Sequence, residues 1–153
     1  MKIISFEVVG IIVAWSRTRI AWNPTTGKPR FFNRAEQTSW QEQIATTAVI
    51  AARQQEWQRV DEGAVLVTVE ARIPMPESWS KKKQAAMDGK LMASKPDMDN
   101  IEKALFDALG TDPNGKRPRA GLYRDDAQVA SKNVVKRWST AKRAGLTVML
   151  TTE

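Results

Sequence analysis

The 153-residue sequence contains neither cysteine nor histidine. Without cysteine the chain has no disulfide, no thiolate zinc site and no cysteine nucleophile, which fits a reducing compartment. Without histidine it has no Ser-His-Asp triad and no imidazole base or metal ligand. Any catalysis by this chain therefore depends on carboxylates, lysine, tyrosine, hydroxyls or a metal ion held by oxygen.

Long apolar runs are also missing. The most apolar stretch, IISFEVVGIIVAW, is short, includes Glu7 and lacks a basic lead or a small-residue cleavage site, so it predicts a strand and not a signal peptide or membrane span. We therefore expect a cytoplasmic protein outside the membrane. A length of 153 residues predicts one globular domain over residues 1–153, with a core that needs no disulfide or structural metal.

Charge is abundant and uneven, with a formal net charge of +7. Residues 81–153 carry fifteen Lys and Arg against nine Asp and Glu, whereas residues 1–80 carry nine against eight. A basic surface favours a polyanionic partner such as nucleic acid, because neutralising phosphates releases condensed counterions. A basic soluble protein without such a partner is the alternative.

The apolar patterns predict an α+β domain in which helices flank a mixed β-sheet. Strands are predicted over residues 3–14, 64–74, 129–138 and 145–152, the last two joined as a hairpin. Helices are predicted over residues 35–57 and between a cap at Ser78 or Ser80 and Gly89. Residues 16–34, interrupted by Asn-Pro and Gly, predict a loop or an irregular hairpin.

The segment KPDMDNIEKALFDALG, residues 95–110, predicts an amphipathic helix capped by Ser94 or Asp97 and ended by Gly110 in a left-handed conformation. Five apolar side chains share one face: Ile101, Ala104, Leu105, Ala108 and Leu109. Four polar ones share the opposite face: Asp99, Asn100, Lys103 and Asp107. By itself, the polar face fits a ladder of i,i+4 ion pairs centred on Lys103.

Two pairs of aspartates suggest a metal site. Asp97 and Asp99 lie two residues apart at the start of the helix, where they repel each other unless a proton or cation lies between them. Asp125 and Asp126 precede the strand that begins near Val129, and by themselves they predict a solvated turn. Together the two pairs could complete an all-oxygen site of the kind that Mg²⁺ prefers, with Mn²⁺ as a substitute.

The stretch KPDMDNIEKALFDALG, followed by DDAQV, resembles the signature of the RusA-type Holliday junction resolvases. In that signature an Asp-x-Asp-Asn helix, with a lysine four residues after its second Asp, precedes Asp-Asp-x-Gln-Val. The resemblance implies a RusA-like fold and a homodimeric, Mg²⁺-dependent endonuclease that cuts four-way DNA junctions by paired nicks. Carboxylate-held Mg²⁺ suits this reaction because it acidifies a water and neutralises the anionic transition state.

The resemblance also implies roles for individual residues. It places the metal ligands at Asp97, Asp99 and Asp126, and the catalytic residues at these three aspartates and Lys103. It gives supporting roles to four further positions: Asn100, Asp107, Asp125 and Gln128. The connection TDPNGKRPRAGLYR between Gly110 and Asp125 is longer than in many relatives; it is basic, and it either adds a DNA contact or alters the placing of Asp126 against the helix.

Basic residues in three stretches are the candidate phosphate contacts: Arg17, Arg19, Lys28, Arg30 and Arg34; Lys81, Lys82 and Lys83; Lys116, Arg117 and Arg119. Each alone also fits a solvated surface charge. Four aromatic residues lie among the first group and suit either base stacking or anchoring of a loop on the core: Trp15, Trp22, Phe31 and Phe32. A non-catalytic basic DNA-binding module, and a metal-dependent nuclease acting on RNA or flaps, are the competing hypotheses.

Overall fold

The computed structural model of the chain describes residues 1–17, 19–32, 35–116 and 119–153. These residues form six strands and three α-helices: β1 Ile3–Val9, β2 Arg19–Trp22, β3 Pro29–Phe32, α1 Ala35–Gln54, β4 Val65–Pro74, α2 Lys81–Met87, α3 Met98–Leu109, β5 Val129–Ser139 and β6 Gly145–Thr152. Short 3₁₀ turns at Asp126–Gln128 and Ala141–Arg143 precede β5 and β6. The mixed sheet with flanking helices confirms the predicted α+β class.

The main sheet has the order β1-β6-β4-β5. β6 runs antiparallel to both β1 and β4, whereas β5 runs parallel to β4. The predicted hairpin between the last two strands is therefore wrong. The buried strand β4 pairs with β5 along one edge and with β6 along the other. The connection from β5 to β6 therefore crosses the C-terminal end of β4, where Arg72 Nε donates to the carbonyl oxygen of Arg143 at 2.8 Å. The predicted irregular hairpin in residues 16–34 is confirmed as the antiparallel pair β2–β3.

The core lies between one face of this sheet and the helices α1 and α3. Alternate residues of the strands point inward, so that Ile4, Val69 and Val148 are each at most 1% exposed. The apolar face predicted for α3 is confirmed, because all five of its residues are at most 2% exposed. Burial of this stripe fixes the rotation of α3 and turns its polar face outward.

Two predicted boundaries extend too far. The first strand ends at Val9 and not at residue 14, because Gly10 adopts a φ of +148° that ends the extended backbone. Residues 11–17 then cross the start of α3, where the N–H of Trp15 donates to the carbonyl oxygen of Asn100 at 3.0 Å. The long helix ends at Gln54 instead of residue 57.

The helix ends differ in part from expectation. Ser80 caps α2, as predicted, by accepting a hydrogen bond from the N–H of Lys83 at 3.1 Å. Asp97 occupies the N-cap position of α3, although its side chain makes no capping hydrogen bond. Gly110 follows α3 with a φ of −72°, so the predicted left-handed ending is wrong. Within the described ranges, no helix is long and apolar enough to cross a membrane.

Candidate functional site

The chain between α3 and β5 folds back beneath the end of α3. The N–H groups of Ala120 and Leu122 donate to the carbonyl oxygens of Ala108 and Leu109 at 2.8 and 2.9 Å. The end of a helix leaves such carbonyls without partners, so these bonds hold the returning chain close to it. The 3₁₀ turn that carries Asp126 is therefore placed beside the C-terminal end of α3.

Asp125 and Gln128 hold this turn from both sides. The Asp125 carboxylate accepts the N–H of Ala127 at 2.8 Å, and Gln128 Oε1 accepts the N–H of Asp125 at 2.9 Å, which makes a capping box. Gln128 Nε2 also donates to the carbonyl oxygens of Val60 and Gly63, both at 3.2 Å. In this structure, both residues of the motif fix the turn on which Asp126 lies.

The carboxylate of Asp126 packs against Gly110 and Tyr123. A Cβ placed on Gly110 would lie 2.8 Å from Asp126 Oδ1 and 3.3 Å from Cε2 of Tyr123. Tyr123 is fully buried, and its hydroxyl lies within hydrogen-bonding reach of Asp126 and of the carbonyl oxygen of Phe106, which is 3.4 Å away. Partial burial, and then the negative charge of Asp107, raise the pKa of Asp126 above its ordinary value.

Asp126 lines an open pocket of about 330 Å³ between α3 and the start of β5. Its walls are formed by Lys103, Phe106 and Asp107 of α3, by Asp126 itself, and by Val129 and Lys132 of β5. Such a volume is large enough for a phosphate group and several waters. The pocket thus combines two carboxylates with two ammonium groups beside an opening to solvent.

The start of α3 holds the other two aspartates of the motif. Asp97 accepts an ion-paired hydrogen bond from Lys95 at 2.7 Å, and this bond raises the pKa of Lys95. Asp99 accepts the N–H of Asn100 at 3.0 Å. The ammonium of Lys103 lies 5.0 Å from the centre of the Trp15 ring, and in the described chain it forms no ion pair with Asp99 or Asp107. The interpretation of the polar face as an ion-pair ladder is therefore wrong.

The predicted metal ligands fall into two separate groups. Asp97 begins α3, whereas Asp126 touches Gly110 at its other end, and a helix of twelve residues is about 18 Å long. Among the described residues, no group of three or more aspartates or glutamates is close enough to hold a metal ion. Asp107 and Asp126 are close together, and a pair of carboxylates with waters suits Mg²⁺. A shared ion at Asp97, Asp99 and Asp126 stays a prediction.

A family model described as endodeoxyribonuclease RusA matches residues 12–151. The chain belongs to the RusA endodeoxyribonuclease family. It is also 32% identical over 147 residues to a protein of Bacillus subtilis (strain 168) that bears the name "Uncharacterized protein YqaN", with 94% of this chain and 93% of that protein covered. RusA-family membership confirms the resemblance of the sequence motif and supports a nuclease role on Holliday junctions.

An ion pair beside this RusA-family pocket, between Glu102 and the pocket residue Lys132, was missed in the sequence. Glu102 of α3 is only 9% exposed, and its carboxylate forms an ion pair with the ammonium of Lys132 on β5. The pair joins the two walls of the pocket. Glu102 adjoins the apolar face of α3, and an acidic residue at such an edge is a signal that a cation lies on the neighbouring element. Nothing in the sequence identified Lys132 as that cation.

The candidate phosphate contacts do not form one patch in the RusA-family fold. Lys81, Lys82 and Lys83 lie at the start of α2, which is tied to the C-terminal end of β5 where Gly89 N–H donates to the carbonyl oxygen of Trp138 at 2.9 Å. Lys116 and Arg119 lie in the connection that leads to the other end of β5. The two groups are thus connected to opposite ends of β5.

The remaining candidates belong to the β2–β3 region. Arg17 and Lys28 are exposed, and Arg19 and Arg30 lie on strands β2 and β3. Trp22 is 71% exposed at the end of β2, whereas Trp15 is half-buried beside Lys103. Phe31 and Phe32 lie on β3. Arg34 and Arg117 lie outside the described residues.

Proposed function

We propose that this chain is a homodimeric, Mg²⁺-dependent endodeoxyribonuclease that resolves four-way DNA junctions by paired nicks during recombination and repair. The proposal is supported above all by one observation: the RusA family match covers a chain in which Lys103, Asp107 and Asp126 line a single open pocket. The pocket is open enough to receive a backbone phosphate and polar enough to act on it.

The aspartates of the motif would hold the ion. Asp126 has Asp107 beside it in the pocket, and Asp97 and Asp99 are the further ligands that the motif assigns. When bound, Mg²⁺ lowers the pKa of a water and offsets charge on the phosphate. Tyr123 and Gly110 fix the orientation of the Asp126 carboxylate. Lys103 carries an ammonium that no carboxylate of the described chain neutralises, and it stabilises negative charge that develops on the phosphate or the leaving oxygen.

A dimer matches the symmetry of the substrate. A four-way junction has two-fold symmetry, and a C₂ dimer presents two equal sites to two of its strands. The basic groups at the two ends of β5 and the β2–β3 hairpin would contact the arms through their phosphates, because such contacts require charge but no particular sequence.

A panel of labelled substrates tests the proposed activity: a synthetic four-way junction, a duplex, a flap, a single strand and an RNA duplex, each with and without Mg²⁺. We expect paired nicks in the junction in the presence of Mg²⁺ and no cutting after chelation. Cutting of flaps or RNA in preference to the junction would assign a different substrate. Salt-sensitive binding without any cutting would identify a DNA-binding module.

Site variants test the assignment of residues. We expect Asp99→Asn and Asp126→Asn to abolish cutting while junction binding persists, because each removes a carboxylate without removing a basic side chain. Glu42→Gln, on the exposed side of α1, is the matched loss of a carboxylate outside the pocket and should cut like the wild type. Normal cutting by either aspartate variant would contradict the proposed site.

A further inference from the structure

Residues 79–92, which include α2, are fixed on the C-terminal end of the edge strand β5. The N–H of Gly89 donates to the carbonyl oxygen of Trp138 at 2.9 Å, and the N–H of Trp138 donates to the carbonyl oxygen of Lys90 at 2.9 Å. The rings of Trp79 and Trp138 pack edge to face, with 5.0 Å between their centres. Two backbone bonds and an aromatic contact therefore set the position of α2 and of the residues on either side of it.

This end of the sheet collects basic side chains from three segments. Arg137 of β5 donates from Nη1 to the carbonyl oxygen of Gly89 at 2.9 Å. The 3₁₀ turn Ala141–Arg143 joins them, because the guanidinium of Arg143 forms an ion pair with Asp88, directly after α2. We define the α2 patch as the other six basic residues of these segments: Lys81, Lys82, Lys83, Lys90, Arg137 and Lys142.

Most of the charge of the α2 patch is left for a partner. Arg137 has the carboxylate of Glu70 at 3.7 Å. The other five side chains are exposed, and in the described part of the chain none of them forms an ion pair: Lys81, Lys82, Lys83, Lys90 and Lys142. The ammonium of Lys83 lies 4.1 Å from the centre of the Trp79 ring, which positions the cation without neutralising it. Neighbouring cations repel one another, so a polyanion bound here would be stabilised.

The α2 patch and the pocket lie along the same strand. The pocket residue Lys132 is near the start of β5, and Arg137 follows it by five positions near the end. Five positions correspond to about 16 Å at the rise of a strand. Successive phosphates of one DNA strand are about 3.4 Å apart along the duplex axis, so this distance spans about five nucleotides. β5 itself contains no acidic residue that would repel a phosphate between the two places.

We propose that the α2 patch binds the phosphate backbone of a DNA arm about five nucleotides from the phosphate in the pocket. The proposal rests on the nuclease function and adds Lys90, Arg137 and Lys142 to the residues that hold the substrate. DNA fits the patch better than an acidic protein does, because the family acts on DNA and the patch is a spread of lysines without a shaped cavity. Lysine binds phosphate as a point charge, without reading sequence.

The salt dependence of binding tests the patch without any cutting. Binding to a labelled duplex and to a four-way junction is measured with a chelator present over a series of salt concentrations. Lys90→Gln/Lys142→Gln removes two exposed charges of the patch that the sequence motif did not assign. Lys2→Gln/Arg53→Gln removes two exposed charges before β1 and at the end of α1, and is the matched control for net charge.

The number of phosphate contacts sets the expected result. Each contact contributes about 0.9 to the slope of log K against log salt concentration, so we expect Lys90→Gln/Lys142→Gln to reduce the slope by about 2. Between about 50 and 200 mM salt, the wild type should lose about tenfold more affinity than this variant. The control should keep the wild-type slope. Equal slopes in the wild type and the patch variant would overturn the proposal.

Neutral linkages in the DNA locate the contact. A methylphosphonate removes the charge of one phosphate, and it is moved one nucleotide at a time along an arm of the junction. We expect wild-type binding to weaken most at linkages about five nucleotides from the nicks, and Lys90→Gln/Lys142→Gln to respond much less there. The same response of both proteins at every linkage would contradict the assignment.

The outcomes separate this inference from the proposed function. A wild-type protein that cuts no junction, but whose salt slope falls in Lys90→Gln/Lys142→Gln, would refute the nuclease and keep the DNA-binding patch. An active wild type whose slope is the same in that variant would keep the nuclease and refute the patch.

Discussion

Gly110 and Asp126 lie so close that a side chain at residue 110 would require the Asp126 carboxylate to move: a Cβ there would be 2.8 Å from Asp126 Oδ1. The backbone of Gly110 has a φ of −72°, which any residue adopts, so the effect of a substitution here comes from contact with Asp126 and not from backbone conformation. The carboxylate of Asp126 is thus set directly against the end of α3.

Gly110→Ala should therefore displace Asp126. We expect a loss of about 1 kcal/mol in the free energy of unfolding, at the low end for overpacked positions because the Asp126 carboxylate can turn aside, together with slower junction cutting. Chemical denaturation and a cleavage assay measure the two effects. In an Asp126→Ala background the added methyl group loses its main obstacle, so the same substitution should cost less stability. An equal cost in both backgrounds would show that the contact with Asp126 is not responsible.

Asp126→Asn should stabilise the fold at neutral pH. The pKa of Asp126 in the fold is raised above its ordinary 3.8. Between those two pKa values the folded chain binds more protons than the unfolded chain, so the free energy of unfolding falls as pH rises through that range. At pH 7 the wild type bears the whole cost of the ionised carboxylate, and the asparagine variant does not.

Denaturation of both proteins over a series of pH values, with a chelator present, measures this difference. The advantage of Asp126→Asn should shrink as pH falls through the raised pKa towards 3.8, where the wild-type carboxyl becomes protonated. A wild type that is the more stable protein at pH 7 in the absence of divalent ions would contradict the prediction.

Lys132→Met should destabilise the fold more than Glu102→Gln. The side chain of Glu102 is 12% exposed, whereas that of Lys132 is 55% exposed. Removing Lys132 leaves a carboxylate with little access to water, at a cost of about 1–3 kcal/mol. Removing the charge of Glu102 leaves an ammonium that water solvates.

The double variant Glu102→Leu/Lys132→Met supplies the control, because replacing both members of such a pair by apolar residues is often close to neutral. We expect its free energy of unfolding to lie nearer to the wild type than that of Lys132→Met. If the double variant is less stable than both the wild type and Lys132→Met, the prediction is contradicted, and the ion pair itself stabilises the fold.

Lys103→Gln should separate activity from stability. Its ammonium is exposed and contacts only the Trp15 ring in the described chain, an interaction of about 0.5–1 kcal/mol at such a site. We expect cutting to fall by about 10²–10³-fold, as when other groups that stabilise a transition state are removed, with little change in unfolding. Lys2→Gln removes an exposed lysine that precedes β1 and does not line the pocket, so it should leave both measurements unchanged.

The local features of the fold followed from local patterns. The apolar stripe of α3, the alternation in β4 and the Ser80 cap all depend on residues close together in sequence, and all three are confirmed. The order of the strands did not follow from local patterns. The five residues between β5 and β6 are compatible with two neighbouring strands and also with two strands that have a third strand between them. The position of β4 between β5 and β6 depends on pairing with distant residues.

The candidate site shows the same division. The motif identified Lys103, Asp107 and Asp126, which line one pocket, whereas a metal ion shared by Asp97, Asp99 and Asp126 stays a prediction, because Asp97 and Asp99 lie at the other end of α3 in this chain. The length of α3 keeps them apart. Lys132 was missed because its partner Glu102 is thirty positions away in sequence and becomes its neighbour only when β5 packs beside α3.

The place of β6 in the sheet bears on the order in which this RusA-family fold can form. Among the strands of the described residues, β6 comes last along the chain, yet it is the strand that β1, which comes first, pairs with. While a nascent chain is still on the ribosome, β1 therefore waits without its strand partner until residues 145–152 have left the exit tunnel. A chain without residues 145–152 would therefore lack a finished sheet beneath α3, the helix that carries the motif.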